Sequence, residues 1–430
     1  MMSNAPSDTL LVEVRHTSEP TRKQAIPRQG IAFLTLLAVV VDASLLVFGG
    51  WWYWRDTRPL SSLPTVATWI ARGEFSRAEP VLRELLRRSP HAGEARTMLA
   101  KVLGARGDFL GCARQLHQVP FWWPTKADAL LHEGEAYLLA NRAKDADTCW
   151  QPLVHDDELH PTPSPTLRGV TLQLLGLYAT ENRWEEAAVV VWNAYEHTNP
   201  VDHLSLLSMR VRSELERLAP EAAITPLERY VAADPGDWEA LRALARAELA
   251  LNRKEAAAKH FQACLKGDPE NPKVWRDYLR MLHDTGDQEA LAALLAKVPP
   301  SAEGEPDVWR FRGLLKEKSD NWPGAARDYQ AALERNPFVM ASHYRLAMVE
   351  ERLGHHESAA QHRQKADELR DAYGELRTAF NNVVGAEEAR KQRRSSTPDL
   401  PTSMRRLGSL CATLGWARLA QAWDKLAETS

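Results

Sequence analysis

Histidine and acidic side chains form two short groups whose residue types would suit a metal ion. His355, His356 and His362 make up one group, and the run HDDELH at 155–160 makes up the other. Imidazole and carboxylate are common zinc ligands. The first group falls at a predicted turn, however, and the second adjoins the proline-rich segment 160–166. We therefore interpret both as solvated turn residues and predict no metal site.

The four cysteines are far apart, and none belongs to a C-x-x-C pair; they are Cys112, Cys149, Cys264 and Cys411. This spacing predicts packing in a core and no disulfide, zinc ribbon or c-type haem. The chain also lacks a phosphate loop, a nucleophile elbow, a kinase motif set and an H-E-x-x-H motif. The sequence thus offers no catalytic residue, and we predict a non-enzyme without cofactor or small-molecule substrate.

An apolar stretch near the N-terminus, residues 30–54, has about the length that a membrane-crossing helix needs. It follows a polar tail at 1–29 and ends in four aromatic residues, which suit an aromatic belt. A cleaved signal peptide is the alternative, but the polar region before the stretch is long and bulky Trp51 would follow the cut. We expect a single-pass anchor.

Basic residues are more frequent before this stretch than directly after it, which predicts a cytoplasmic N-terminus and a periplasmic or otherwise extracytoplasmic remainder. Asp42 falls near the middle of the expected span, where a carboxylate is costly. Two interpretations remain: Asp42 pairs with a group on another membrane helix, or it is protonated.

One helical pattern recurs along most of the chain with a period of about 34 residues. It is clearest in the segments 77–90, 255–269 and 324–337. Each carries a small residue, a bulky apolar residue four positions later and a closing proline, and in the last two segments a small residue also stands three positions after the bulky one. This spacing places the apolar residues on one face of a helix. A second amphipathic segment and a short turn precede each one, so one repeat is a helix, a turn and a helix.

These repeats resemble the tetratricopeptide repeat family. The residues that match its signature are Trp309, Gly313, Ala325, Tyr329, Ala332 and Pro337; Leu130, Gly134, Tyr137, Ala146 and Trp150; and Leu241, Ala245, Ala257, Phe261 and Pro269. The resemblance implies an all-α, right-handed solenoid of about nine to ten helical hairpins. Its bacterial membrane-anchored members are the type that we expect here.

The same phasing divides the chain. We predict a repeat array at 59–366, one further helix with a linker at 367–402, and a repeat-like hairpin at 403–430 that caps the array. The segment FWWPT at 121–125 predicts a shortened second helix in the second repeat, and the proline-rich segment at 160–166 is a second interruption. We interpret both as local breaks in one superhelix, and the fourth and fifth repeats are the least certain in register.

In the tetratricopeptide family, the first helix of each repeat lines a concave face, and this resemblance indicates which side chains face it. They form a basic row with few acids between them: Arg212, Arg242, Arg246, Lys273, Arg276, Arg280, His283 and Arg310. Arginine binds carboxylates through paired hydrogen bonds. A partner's acidic segment or C-terminal carboxylate would fit this row, although the family's clamp asparagine is missing. The alternative is a solvated face that neighbouring acids neutralise.

The net charge of −3 gives no reason to expect nucleic acid as a partner. The sequence therefore predicts a membrane-tethered scaffold that binds other proteins. The alternative function is a non-catalytic regulatory or substrate-targeting subunit of an enzyme encoded elsewhere.

Overall fold

The computed structural model describes residues 43, 44, 46–51, 63–155, 165–394 and 399–430. The chain forms two units, residues 1–61 and residues 62–430. In the first unit, residues 46–51 are helical. In the second unit, the described residues are α-helical apart from turns, loops and one short 3₁₀ helix at Pro300–Ala302, and they include no strand.

The helices of the second unit follow one another as sequential pairs, beginning with a helix of nine residues. They are α1 Leu63–Ala71, α2 Phe75–Arg88, α3 Gly93–Ala105, α4 Phe109–His117, α5 Lys126–Leu139, α6 Ala143–His155, α7 Pro165–Glu181, α8 Trp184–His197, α9 Pro200–Leu215, α10 Pro220–Ala233, α11 Trp238–Ala250, α12 Lys254–Gly267, α13 Pro272–Asp284, α14 Gln288–Leu295, α15 Pro306–Lys318, α16 Trp322–Arg335, α17 Met340–Arg352, α18 His356–Lys391, α19 Leu400–Thr413 and α20 Ala417–Thr429. This all-helical repeat architecture is the one that the sequence predicts.

The period of the repeats is visible in the backbone of the turns. Residues in the left-handed region of φ recur 34 positions apart, first at Gly73, Gly107 and Asn141 and again at Gly286, Asp320 and Gly354. Glycine adopts this conformation without a steric penalty, and asparagine and aspartate tolerate it better than other residues. The turn inside a hairpin therefore has the same geometry in successive repeats.

Within a hairpin, the small residue of the first helix packs against the aromatic residue of the second. Trp150 is fully buried, lies against Gly134 and donates a hydrogen bond from Nε1 to the carbonyl oxygen of Leu131 at 3.0 Å. Tyr329 is likewise buried against Gly313. A side chain at either glycine would overlap an aromatic ring, which explains why these positions of the signature are small.

The C-terminal end of the array departs from the predicted division at residue 366. Helix α18 continues without a break through that position to Lys391 and has 36 residues. Its buried side chains recur every three or four positions from Leu369 to Ala386, a pattern that keeps one stripe of the helix in a core. They form a common core with residues of α9, α19 and α20.

The fifth helix pair is split. Helix α9 packs against α8, α18 and α20, whereas α10 packs against α7 and α11. Glu216 directly follows α9 and has extended backbone angles, φ −121° and ψ 117°. The other pairs have a residue with left-handed backbone angles in the corresponding turn. Since α9 and α10 belong to different hydrophobic cores, the C-terminal hairpin lies against the middle of the array.

The predicted single-pass localisation is contradicted and we withdraw it, together with the topology that depends on it. Within the described ranges, no helix is both long enough and apolar enough to cross a membrane. A span needs about 20 apolar residues in one helix, and of the stretch 30–54 only residues 43, 44 and 46–51 are described. Asp42 lies outside the described residues.

Candidate functional site: a basic cavity in the repeat array

Two first helices of the repeats, α11 and α13, carry most of the predicted basic row. Arg242 and Arg246 are four residues apart on α11, as are Arg276 and Arg280 on α13, so each pair shares one helix face. The N-terminus of α11 is fixed by Asp237, whose carboxylate accepts a hydrogen bond from the amide of Ala240 at 3.0 Å. Local capping thus sets where the basic face begins.

This face forms one wall of a cavity of about 450 Å³. The other walls come from the start of α8, the end of α9, and single residues of the C-terminal half, among them Trp416 in the turn between α19 and α20. Eight cationic side chains line the cavity, and the acidic side chains that line it are three. The cations are Arg183, Arg210, Arg217, Arg242, Arg246, Lys273, Arg276 and Arg280, and the acids are Glu185, Glu186 and Glu214.

The floor of the cavity is a buried ion-pair network centred on Asp277. Arg242 is 1% exposed, and its guanidinium donates to Asp277 at 2.6 Å and to Glu239 at 2.7 Å. Arg276 and Arg246 approach the same carboxylate at 3.3 Å and 3.6 Å. Burial alone would raise the pKa of Asp277, but the three guanidinium groups lower it overall. Arg242 therefore supports the site from beneath.

Arg246 has the least favourable electrostatic environment of the row. Burial, together with the positive charges of Arg242, Arg276 and Arg280, lowers its pKa to about 10 against the opposing charge of Asp277. Its guanidinium also donates to the carbonyl oxygen of Asn182 at 3.1 Å. An added anion in the cavity would stabilise this guanidinium, because it would offset three like charges.

Acidic residues at the start of α8 reach across the cavity to α13. Glu186 accepts a hydrogen bond from the ammonium of Lys273 at 2.5 Å, and Glu185 accepts one from Arg276 at 3.0 Å. Burial would raise the pKa of Glu186, but Lys273 and Arg183 lower it to about 2. Glu185 is 64% exposed at the mouth of the cavity, whereas Glu186 is 24% exposed.

Arg280 lies at the rim, where its side chain is 52% exposed and pairs with Asp307 at 2.5 Å. Asp307 also binds Arg310 at 2.8 Å. Arg310 and His283 flank the ring of Phe311, at 4.2 Å and 4.9 Å from its centre. Arg310 and His283 therefore lie close to Arg280 but do not line the cavity.

Arg212 is separate from the rest of the row. It lies on α9, pairs with Glu216 at 3.8 Å and stands 5.9 Å from the ring centre of Phe380 on α18. The cavity lining does not include it. Arg210 and Glu214 on the same helix do line the cavity, so Arg212 lies on the side of α9 that meets α18.

Several lining residues are absent from the sequence prediction: Asn182, Arg183, Trp184, Glu185, Glu186, Arg210, Glu214, Arg217, Asn336 and Trp416. They come from turns, helix ends and the split pair. Repeat phasing marks only the concave positions of first helices, so no pattern in the sequence indicates that these residues converge.

Of the histidine group, only His355 lies in a turn, whereas His356 and His362 belong to α18. His355 and His356 are solvent-exposed and bind Glu350 and Glu351. The prediction of a solvated turn residue is wrong for His362, which is partly buried against His343. Among the described residues, no three histidine, cysteine or acidic side chains are close enough to hold a metal ion. Residues 156–160 lie outside the described part of the chain.

Family models of the tetratricopeptide repeat match residues 70–111, 238–282 and 312–373. These ranges include the segments 77–90, 255–269 and 324–337, in which the repeat pattern is clearest, and the tetratricopeptide repeats are thereby confirmed. Ala146 and Trp150 lie outside the matched ranges. Repeats of this family are generally non-catalytic scaffolds that bind other proteins.

Two named relatives carry the same repeat in their names. Tetratricopeptide repeat protein 33 of Homo sapiens is 28% identical over 129 residues, which are 30% of this chain and 48% of that protein. Its counterpart in Mus musculus is 28% identical over 185 residues, which are 43% of this chain and 70% of that protein. The match thus spans about half the length of the human relative.

Similar solved structures include MamA from Desulfovibrio magneticus RS-1 and Pseudomonas aeruginosa pilF. The first is 22% identical with a TM-score of 0.31 and covers 40% of this chain and 96% of that chain. The second is 17% identical with a TM-score of 0.33 and covers 53% of this chain and 98% of that chain. Likenesses of this size carry no information about binding or activity.

Proposed function

We propose that this chain is a protein-binding scaffold whose basic cavity receives carboxylates from an acidic segment of a partner protein. The observation that carries the proposal is the charge of the lining, in which eight cations outnumber three acids; without the buried Arg242, which Asp277 and Glu239 neutralise, seven cations remain. Arg246 gives a local argument, because burial, together with the surrounding guanidinium groups, lowers its pKa. A bound carboxylate would relieve that repulsion and form charge-assisted hydrogen bonds.

The size of the cavity limits which part of a partner protein could enter it. A volume of about 450 Å³ falls within the range of roughly 300–1,000 Å³ that is typical of ligand pockets. It suits a few acidic side chains or one chain terminus, whereas a folded domain would be excluded. The partner would insert a short segment and contact the rim around Arg280 with the residues on either side.

The test is equilibrium binding of a fluorescein-labelled hexaglutamate peptide, followed by fluorescence anisotropy at low salt. We expect Arg280→Glu to weaken binding by about tenfold, because the substitution removes one rim cation and adds one anion. The side chain of Arg280 is half exposed, so the variant should fold.

Arg212→Glu is the matched control, because its side chain is 55% exposed and lies outside the cavity. It makes the same charge change and should leave the affinity unchanged. Equal losses from both substitutions would indicate nonspecific attraction and would refute the proposal. Comparing peptides with a free and an amidated C-terminus separates terminal-carboxylate recognition from side-chain recognition.

A further inference from the structure

The basic cavity already holds carboxylates that belong to the chain itself. The segment 182–186 comprises the turn before α8 and the first residues of that helix. It accepts three hydrogen bonds from the basic face. Asn182 accepts from Arg246, Glu186 from Lys273, and Glu185 from Arg276. We call Glu185 and Glu186 the acidic latch.

These contacts join parts of the array that are distant in the sequence. The two hydrogen-bonded ion pairs of the latch span 91 and 87 residues, from the fourth helix pair to the seventh. Glu185 also lies 3.8 Å from the ammonium of Lys273. They are not part of the packing within or between successive hairpins, on which a repeat array normally depends. The latch is therefore an additional closure, made of side chains at the mouth of the cavity.

The latch neutralises Lys273 and Arg276, and these are also the cations that a partner's carboxylates would bind. Arg276 keeps Asp277 and Glu305 as further partners at 3.3 Å and 3.6 Å, so it stays compensated when Glu185 leaves. Glu185 is largely exposed and has little burial to lose. Exposed pairs of this kind contribute little stability, which makes Glu185 displaceable. Glu186 is only 24% exposed and binds both Lys273 and Arg183, so a partner displaces it only by supplying a carboxylate in its place.

We propose that the acidic latch occupies the cavity as an internal competitor, and that the partner is an acidic segment with adjacent carboxylates that displaces it. This inference rests on the proposed function of the cavity, and it adds a requirement on the partner. A single carboxylate cannot replace both Glu185 and Glu186, so two neighbouring acids should bind much better than one.

The experiment compares hexaglutamate binding by wild type and by the double variant Glu185→Gln, Glu186→Gln. The substitutions keep the size and polarity of both side chains and remove their charges. If the latch is closed in about nine tenths of the molecules, opening it raises the apparent affinity about tenfold. Glu196→Gln is the control, because Glu196 lies on the same helix at 57% exposure and pairs with Arg418, outside the cavity lining.

A second probe tests the latch directly. A peptide with the sequence of residues 182–189, NRWEEAAV, should bind the double variant and compete with hexaglutamate. A version in which glutamine replaces both glutamates should not compete. Circular dichroism of each variant verifies that the helices are intact.

The outcomes separate the two proposals. Binding that depends on Arg280 but is equal in wild type and the double variant would overturn the latch and leave the cavity as the binding site. No binding by either protein, or binding that Arg280→Glu does not weaken, would overturn the proposed function and the latch with it. Tighter binding by the double variant alone, with the Glu196→Gln control unchanged, is the result that we expect.

Discussion

Asp277→Asn tests the buried network beneath the cavity. The carboxylate of Asp277 is 5% exposed and neutralises Arg242, which is 1% exposed, at 2.6 Å, with Arg276 and Arg246 nearby. Removing one partner of a buried ion pair typically costs about 3–5 kcal/mol, because the other charge stays buried without compensation. Glu239 still pairs with Arg242 in the variant, so we expect the lower end of this range, a loss of about 3 kcal/mol in the free energy of unfolding.

The assay is urea unfolding at neutral pH, followed by circular dichroism, with hydrogen exchange to locate the effect. Exchange should accelerate in α11 and α13 before it does elsewhere, since a repeat array can open locally. Because the pKa of Asp277 is lowered in the folded state, its contribution is present above the pKa of the unfolded state, near about 4. It is lost as the pH falls further, so the difference between variant and wild type should shrink there.

The control is Asp367→Asn on α18. Asp367 binds Arg370 at 2.6 Å, the same distance as in the buried pair, but the two side chains are 50% and 62% exposed. Solvent screens such a pair, so the substitution should leave stability almost unchanged. If the two variants lose equal stability, or if Asp277→Asn loses none, the account of the floor as a buried electrostatic network is refuted.

Three further predictions concern packing, pH and thiol reactivity. Gly134→Ala should destabilise the third hairpin by about 1–3 kcal/mol in urea unfolding, because the new methyl group overlaps the indole of Trp150; Gly374→Ala, with nothing within 4 Å, should instead stabilise α18 slightly, and the opposite order would contradict the packing model. Burial, against the charge of Arg183, raises the pKa of Glu181 to about 8, so the folded state binds the extra proton and stability should fall as the pH rises from about 4.5 to 8; an identical pH profile for Glu181→Gln would disprove this assignment. Burial raises the pKa of Cys264 and Cys411 to about 12, and both residues are buried, so iodoacetamide at pH 8 should modify these two thiols only after unfolding; rapid labelling of either one in the native protein, detected by mass spectrometry, would contradict their burial. Cys112 and Cys149 are partly buried, and burial raises the pKa of both thiols, so they should react faster than Cys264 and Cys411.

The local architecture of the chain follows from its sequence. The spacing of Ala325, Tyr329 and Ala332 predicts one buried helix face, and all three side chains are fully buried. The interruption at 121–125 predicts a short second helix, and α4 ends at His117 after nine residues. These features depend on neighbours within about one repeat, which is the range over which periodicity carries information.

The long-range arrangement could not be predicted in the same way. Nothing in the phasing indicates that α9 leaves α10 and packs against α18 and α20. The packing of α9 depends on which apolar faces meet, because Glu216 does not adopt the left-handed backbone conformation that joins the two helices in the other pairs. Arg212, a member of the predicted row, therefore lies on the side of α9 that meets α18, whereas Arg210 and Glu214 of the same helix line the cavity.

The candidate site was predictable as a charge pattern but not as a cavity. The basic positions on α11 and α13 follow from helix geometry, whereas the acids that oppose them come from residues 185–186, far away in the sequence. The predicted row treats Arg242 as a binding residue, yet its burial beneath Asp277 assigns it to the floor. Burial and distant ion pairs depend on the tertiary fold, and a single sequence without an alignment does not contain them.

The most direct test of the central claim is a crystal structure of the Glu185→Gln, Glu186→Gln variant with bound hexaglutamate. Our account predicts peptide carboxylates within hydrogen-bonding distance of Lys273 and Arg276, in the positions that the latch occupies in the wild-type chain. A peptide that binds elsewhere on the array, with the cavity side chains unchanged, would contradict it.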